Sequence, residues 1–225
     1  MKEVIRQSIG IDCAMGEHVA GFSSMDADRT VSHVSSITFK NGESAFKKFE
    51  KWIKKHTPGP NLVIVMEATG VYHEKLACYL TDRNYFVSVV LPNKAKYFAK
   101  TLDSKTVTDK ISAQSLATMG LEKKLIKWEK PSELFNQLRQ LTRERDQVVH
   151  ERSQIKCQLH AESSGAWPNS SSIKRMNQRI KLLTKQVQEI ELEVKELVKN
   201  DPDLSAKINR ICTIKGVGVL TAITV

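Results

Sequence analysis

Three carboxylates stand where apolar segments end or where a helix begins. Asp12 closes the run Ile9-Gly10-Ile11, Glu67 closes the continuous apolar stretch from Asn61 to Met66, and Asp109 opens the helical segment after Thr108. Each alone has an ordinary role, as turn residue, strand-end surface charge or helix N-cap. Brought to one edge they would repel one another unless they shared divalent cations, for which hard carboxylate oxygens are suitable ligands. Two Mg²⁺ ions about 4 Å apart on such a cluster would polarise a phosphodiester and stabilise its attacking and leaving oxygens, with Mn²⁺ as the alternative ion. Cys13 is a further candidate, as a nucleophile beside Asp12, but a neighbouring carboxylate disfavours the thiolate. The four cysteines are scattered without a CxxC pair, which is neither a zinc pattern nor a disulfide framework.

The elements that must position these acids follow from periodicity. Val4 to Asp12, Glu17 to Ser24 and Val31 to Phe39 read as three strands, each with alternating or β-branched apolar positions and separated by turn-rich stretches. Ala45 to Trp52 carries apolar residues at helical spacing and ends before Pro58-Gly59-Pro60. Asn61 to Met66 has the continuous apolar character of a buried parallel strand, Tyr72 to Leu80 reads as a helix, and Tyr85 to Leu91 as a further strand. A three-strand meander followed by alternating helix and strand is the order of an α/β, ribonuclease H-like fold. In that sheet the ends of the first and fourth strands and the start of a later helix converge on one edge, so Asp12, Glu67 and Asp109 are expected to meet. No GxGxxG fingerprint or P-loop follows Asp12. Actin-like sugar kinases share a similar opening order, so fold alone does not decide function.

Beyond Asn93 the chain turns helical and basic, through Ala113 to Leu121, and reaches a linker at Trp128-Glu129-Lys130-Pro131. Leu134, Leu138, Leu141, Val148, Ile155 and Leu159 then share one heptad seam, interrupted by Arg145 and Arg152. After a Ser/Gly/Pro break from Ser163 to Ser172, Ile173, Met176, Ile180, Leu183, Val187, Ile190, Val194 and Leu197 recur at spacings of three and four, a sustained coiled-coil pattern. Two such helices joined by a short break predict an antiparallel hairpin. Lys215-Gly216-Val217-Gly218 resembles one helix-hairpin-helix turn, whose glycines let backbone amides approach a phosphate. The expected domains are 1–127 for the metal-binding α/β part, 128–205 for the coiled-coil hairpin, and 206–225 for the start of a C-terminal domain that does not finish.

A net charge of +10 points to a polyanionic partner, although a solvated basic surface is the plainer explanation. Lys94, Lys96, Lys100 and Lys105 are candidate contacts to a nucleic-acid backbone, as are Arg139, Arg143, Arg145 and Arg152 on the first long helix; the two seam arginines could equally snorkel at its edge. No uninterrupted apolar run approaches the roughly 18 residues that span a bilayer, and the N-terminus has no signal-peptide pattern. The expectation is a cytoplasmic protein on nucleic acid, with no membrane partner.

Gly10-Ile11-Asp12, Met66-Glu67-Ala68-Thr69-Gly70 and Thr108-Asp109-Lys110-Ile111-Ser112-Ala113, in this order, resemble the DEDD transposases of bacterial insertion sequences. That family is related to the Piv-type DNA invertases and includes the bridge-RNA-guided recombinases. The resemblance implies a RuvC-like N-terminal domain, a coiled coil and the entry to a C-terminal transposase domain. It also implies Mg²⁺-dependent strand cleavage and exchange on DNA by a homo-oligomer, dimer or tetramer, bound to a structured guide RNA. Asp12, Glu67 and Asp109 match the first three acids of the family, while its fourth acid falls on Ser112. A hydroxyl is a poorer ligand there, and Asp103, the nearby substitute, precedes the helix. The family's serine nucleophile has no counterpart in matching context, so the 225 residues alone are expected not to recombine DNA. A self-sufficient RuvC-like junction nuclease and a non-catalytic nucleic-acid-binding assembly protein are the alternatives.

Overall fold

Strand β1 (Val4–Cys13) alternates between two buried faces, and the rest of the α/β unit is built on that alternation. Ile9, Ile11 and Cys13 point into one apolar layer, while Ser8, Gly10 and Asp12 point to the other side. In this computed structural model, which describes residues 3–57, 61–102 and 108–224, β1 lies at the centre of a five-stranded sheet. The order is β3-β2-β1-β4-β5, with β2 (Glu17–Asp26), β3 (Val31–Lys40), β4 (Leu62–Glu67) and β5 (Phe86–Val90). β1, β2 and β3 pair antiparallel as a meander; β4 lies parallel to β1, and β5 parallel to β4. This is the mixed sheet expected from the sequence.

Helices cover both faces, as a sheet with parallel central strands requires. Helices α1 (Glu43–His56) and α2 (Glu74–Thr81) bury Phe46, Phe49, Ile53, Leu76 and Leu80 against Ile9, Ile11, Ile64 and Met66. On the other face α3 (Pro92–Ala99) and α4 (Asp109–Glu122) enclose a second core of Val65, Val90, Ala95, Phe98, Leu116 and Met119. Helix α4 begins at Asp109, where the sequence placed the start of a helix, and runs one residue past Leu121 to Glu122. Asp103, Lys105 and Pro58-Gly59-Pro60 lie outside the described residues.

Residues 131–225 form a second compact unit. Helices α5 (Glu133–Ser164) and α6 (Ser170–Lys199) are the two long helices predicted by the heptads, joined by a short connection. Ion pairs Arg145–Glu191 and Arg179–Glu151 join them in antiparallel register. Leu138, Leu141 and Ile155 of α5 and Leu183, Val187, Ile190, Val194 and Val198 of α6 are buried, so Val198 takes the seam place expected of Leu197, which is half-buried. The segment expected to open another domain folds as α7 (Pro202–Cys212) and α8 (Val219–Thr224) and belongs to this unit: Ile208 and Ala222 share a core with Leu138, Leu141, Ile190 and Val194. Among the described residues, no helix is long and apolar enough to cross a membrane.

Candidate metal centre

The register of two strands places the first two acids side by side. Gly10 pairs with Val65 and Ile11 with Met66 in the parallel ladder, so Asp12 and Glu67, each one residue further, stand level at the carboxyl ends of β1 and β4. Asp12 has the parity of Ser8 and Gly10, and Glu67 that of Val65, so both leave the sheet on the face that α4 covers.

Glycine sets how closely α4 lies. A Cβ on Gly10 would overlap the Ala113 carbonyl oxygen and the Ala117 amide nitrogen, and a Cβ on Gly120 would overlap the Ser8 hydroxyl. Helix α4 therefore runs opposite to β1, with Gly120 over Ser8, Ala113 over Gly10, and its N-terminus beyond the strand end. The Arg6 guanidinium fixes the far end by donating to the Leu121 carbonyl (2.7 Å). That path delivers Asp109 and Ser112 to Asp12.

Asp109 is freed from the capping role it could have had. Thr108 is the N-cap, its hydroxyl accepting from the Ile111 amide (3.3 Å), and Asp109 occupies the first helical position, exposed. Glu67 is steadied by its own segment. The Thr69 hydroxyl donates to its Oε1 (3.2 Å), the Ala68 amide extends the ladder to the Val90 carbonyl (2.9 Å), and Gly70 turns the chain at a φ of +55°.

Asp12 records the result. Burial pushes its carboxyl above the ordinary value, the negative charges of Asp109 and then Glu67 push it further, and a hydrogen bond from the Ser112 hydroxyl pulls it back. The other three residues singled out in the sequence, Glu67, Asp109 and Ser112, thus act on the Asp12 carboxyl group. Among the described residues, no group of three or more His, Cys, Asp or Glu side chains is gathered closely enough to hold a single ion. Cys13 points into the opposite core, 1% exposed, and burial followed by Asp12 and Glu67 pushes its thiol up to about 12. It is no nucleophile.

The basic candidates divide. Lys94, Lys96 and Lys100 are exposed along α3 and its C-cap, and the Lys100 Nζ lies 5.7 Å from the centre of the exposed Tyr97 ring. Lys96, Lys100, Glu67 and Ser112 share the lining of a cleft between α3 and α4. On α5, Arg143 is exposed and Arg152 half-buried. Arg139 donates to the Asn136 side chain (3.1 Å), and Arg145 is held by Glu191 across the hairpin (2.8 Å), so its charge is answered within the protein. Thr69 and Tyr97 are the residues the sequence reading passed over. The aromatic within Lys94-Ala95-Lys96-Tyr97 was the available signal for the second.

Comparisons with known proteins bear on the family of the chain. The chain is 28% identical over 216 residues to the pilin gene-inverting protein of Moraxella bovis, and 28% identical over 214 residues to that of Moraxella lacunata. Each alignment covers 95% of this chain and 63% of the relative, so the chain spans under two thirds of the relatives' length. Among solved structures, Thermus thermophilus RuvC in complex with a Holliday junction substrate aligns at a TM-score of 0.36 and 9% identity, over 49% of this chain and 90% of that one. That likeness is too slight to carry weight beside the observed strand order. A family model described as a transposase, of the DEDD IS110 type, matches residues 9–168, a span that holds Asp12, Glu67, Asp109 and Ser112. The chain belongs to the DEDD transposases of the IS110 type.

Proposed function

We propose that this chain is the metal-binding and DNA-gripping part of a recombinase that cleaves and exchanges DNA strands with Mg²⁺ or Mn²⁺. The observation that supports this most is the state of Asp12, a half-buried carboxyl facing the charges of Asp109 and Glu67. Carboxylates so placed gain from a shared cation what they lose by mutual repulsion.

The donors fit such an ion. A Mg²⁺ site needs only one or two carboxylates, with water and phosphate oxygens completing its shell. Asp12 and Glu67, level on adjacent parallel strands, would supply that pair, and Asp109 would add charge from the helix start. When bound, the ion supplies Lewis acidity toward a phosphodiester. Thr69 orients Glu67, and Ser112 orients Asp12. Lys94, Lys96 and Lys100 neutralise backbone phosphates, which makes binding salt-dependent.

Ser112 gives the site a neutral ligand where the family resemblance places an acid, so a second ion is held weakly and recombination by this chain alone is not expected. Non-catalytic DNA binding is the second reading, and Ser112 is the observation that favours it. Guidance by a structured RNA and assembly into a homo-oligomer, dimer or tetramer, complete the proposal on the strength of the family. Gene inversion, named in the Moraxella relatives, is a DNA rearrangement of the same class.

Mn²⁺ titration followed by electron paramagnetic resonance tests the metal. The signal of free Mn²⁺ should be suppressed by the wild-type chain and far less by Asp12→Asn. Equal suppression by both would remove Asp12 as a ligand.

A further inference from the structure

The cleft between α3 and α4 has a volume of about 730 Å³, and nothing assigned so far uses its interior. It runs along α4 from Ile111 to Thr118, with Glu67 in its lining. Ala99, Ile111 and Leu116 give it apolar walls, Lys96 and Lys100 bring positive charge to its lining, and Asn93 and Gln114 bring side-chain amides. Asn93 uses its carbonyl oxygen to accept from the Lys94 amide (2.8 Å), which leaves its NH₂ group to donate elsewhere.

Apolar walls, two cations and two amides in one cleft match one ligand class, a nucleotide. The flat faces of a base need apolar surface, its polar edge needs both donors and acceptors, and its phosphate needs cations. The volume lies in the range of small-ligand sites and is ample for one base with its sugar. A base pair within a stacked duplex could not enter sideways, so the base must leave the stack. Glu67 and Ser112 share this lining, so the phosphate of a base seated here would lie toward the acid cluster.

We infer that the α3–α4 cleft receives one unstacked base of the DNA strand whose phosphodiester lies at Asp12 and Glu67. The inference rests on the DNA reading proposed above. The base stacks on the apolar walls around Ala99 and presents its edge to Gln114 and Asn93, while Lys96 and Lys100 hold the flanking phosphates.

Duplex DNA carrying 2-aminopurine, whose fluorescence rises on unstacking, and a terminal dye for anisotropy tests this with the full 225-residue chain. Wild type should bind by anisotropy and raise the 2-aminopurine signal severalfold. Ala99→Leu, which fills the cleft, should abolish the rise and weaken binding by less than tenfold, because the lysines remain. Gln114→Leu should do the same by a route that leaves the α3 packing alone, and circular dichroism verifies that each variant is folded. Binding without a rise in wild type, or a rise that survives both substitutions, overturns the base pocket and leaves the DNA reading standing. A rise with RNA of the same sequence and none with DNA also overturns it. No anisotropy change at all removes the DNA reading and the pocket together.

Discussion

The Ser112 hydroxyl, on the first turn of α4, lies near enough to the Asp12 carboxyl at the end of β1 to act on it as a hydrogen-bond donor and lower its pKa. It is the one influence on Asp12 that favours the ionised form, against burial and the charges of Asp109 and Glu67. Ser112→Ala should therefore move the Asp12 titration to higher pH, read from its carboxyl ¹³C shift. No movement would mean that the hydroxyl does not reach Asp12 in solution.

Asp12 also links the site to stability. Its folded pKa is raised, so its contribution is fully present below the unfolded value of 3.8 and is lost as pH rises through the folded value. Metal-free Asp12→Asn should then be more stable than wild type at neutral pH, by roughly 2 °C in the first thermal transition. The gap should close as pH falls below the unfolded value. Added Mg²⁺ should raise the wild-type transition and leave the variant's in place.

Gly10→Ala tests how the helix is seated. The new methyl group meets backbone atoms of Ala113 and Ala117, which cannot rotate away, so α4 must move. A loss of about 2–3 kcal/mol in denaturant unfolding is expected, as for an overpacked core. Mn²⁺ affinity should fall with it, because α4 carries Asp109 and Ser112.

In the helical unit, Arg145 and Glu191 should show a coupling of about 0.5–1 kcal/mol in a double-mutant cycle, since both side chains are about a quarter exposed. Arg145→Met should leave DNA affinity within about twofold of wild type, whereas Arg143→Met should reduce the salt dependence of binding. A larger loss for Arg145→Met would return it to the nucleic-acid contacts.

The sheet was legible because its strands end where apolar runs end, and this also placed Asp12 and Glu67 at neighbouring tips. The parallel register of β1 and β4 turned neighbouring into level, which no local pattern states. Asp109 read equally well as a cap or a ligand until Thr108 proved to be the cap. The long helices announced themselves through their heptads. The partner of Arg145 did not, because Glu191 lies 46 residues away and meets it only through the register of the hairpin. The glycines at 216 and 218 read as one helix-hairpin-helix turn within the segment 206–225; Ile208 and Ala222, on either side of it, are buried in the helical unit. Close packing at Gly10 was invisible in sequence, since a glycine within a strand does not say what approaches it.

The most direct test of the central claim is the Mn²⁺ affinity of Ser112→Asp beside wild type, measured by calorimetry. A fourth acid one turn from Asp109 shares its helix face and points at Asp12. If Ser112 stands beside a metal site formed by Asp12 and Glu67, the substitution should tighten binding by about tenfold or more, equivalent to ~1.4 kcal/mol. An affinity unchanged from wild type in a folded variant would contradict the placement of Ser112 in a metal site and, with it, the account of this cluster.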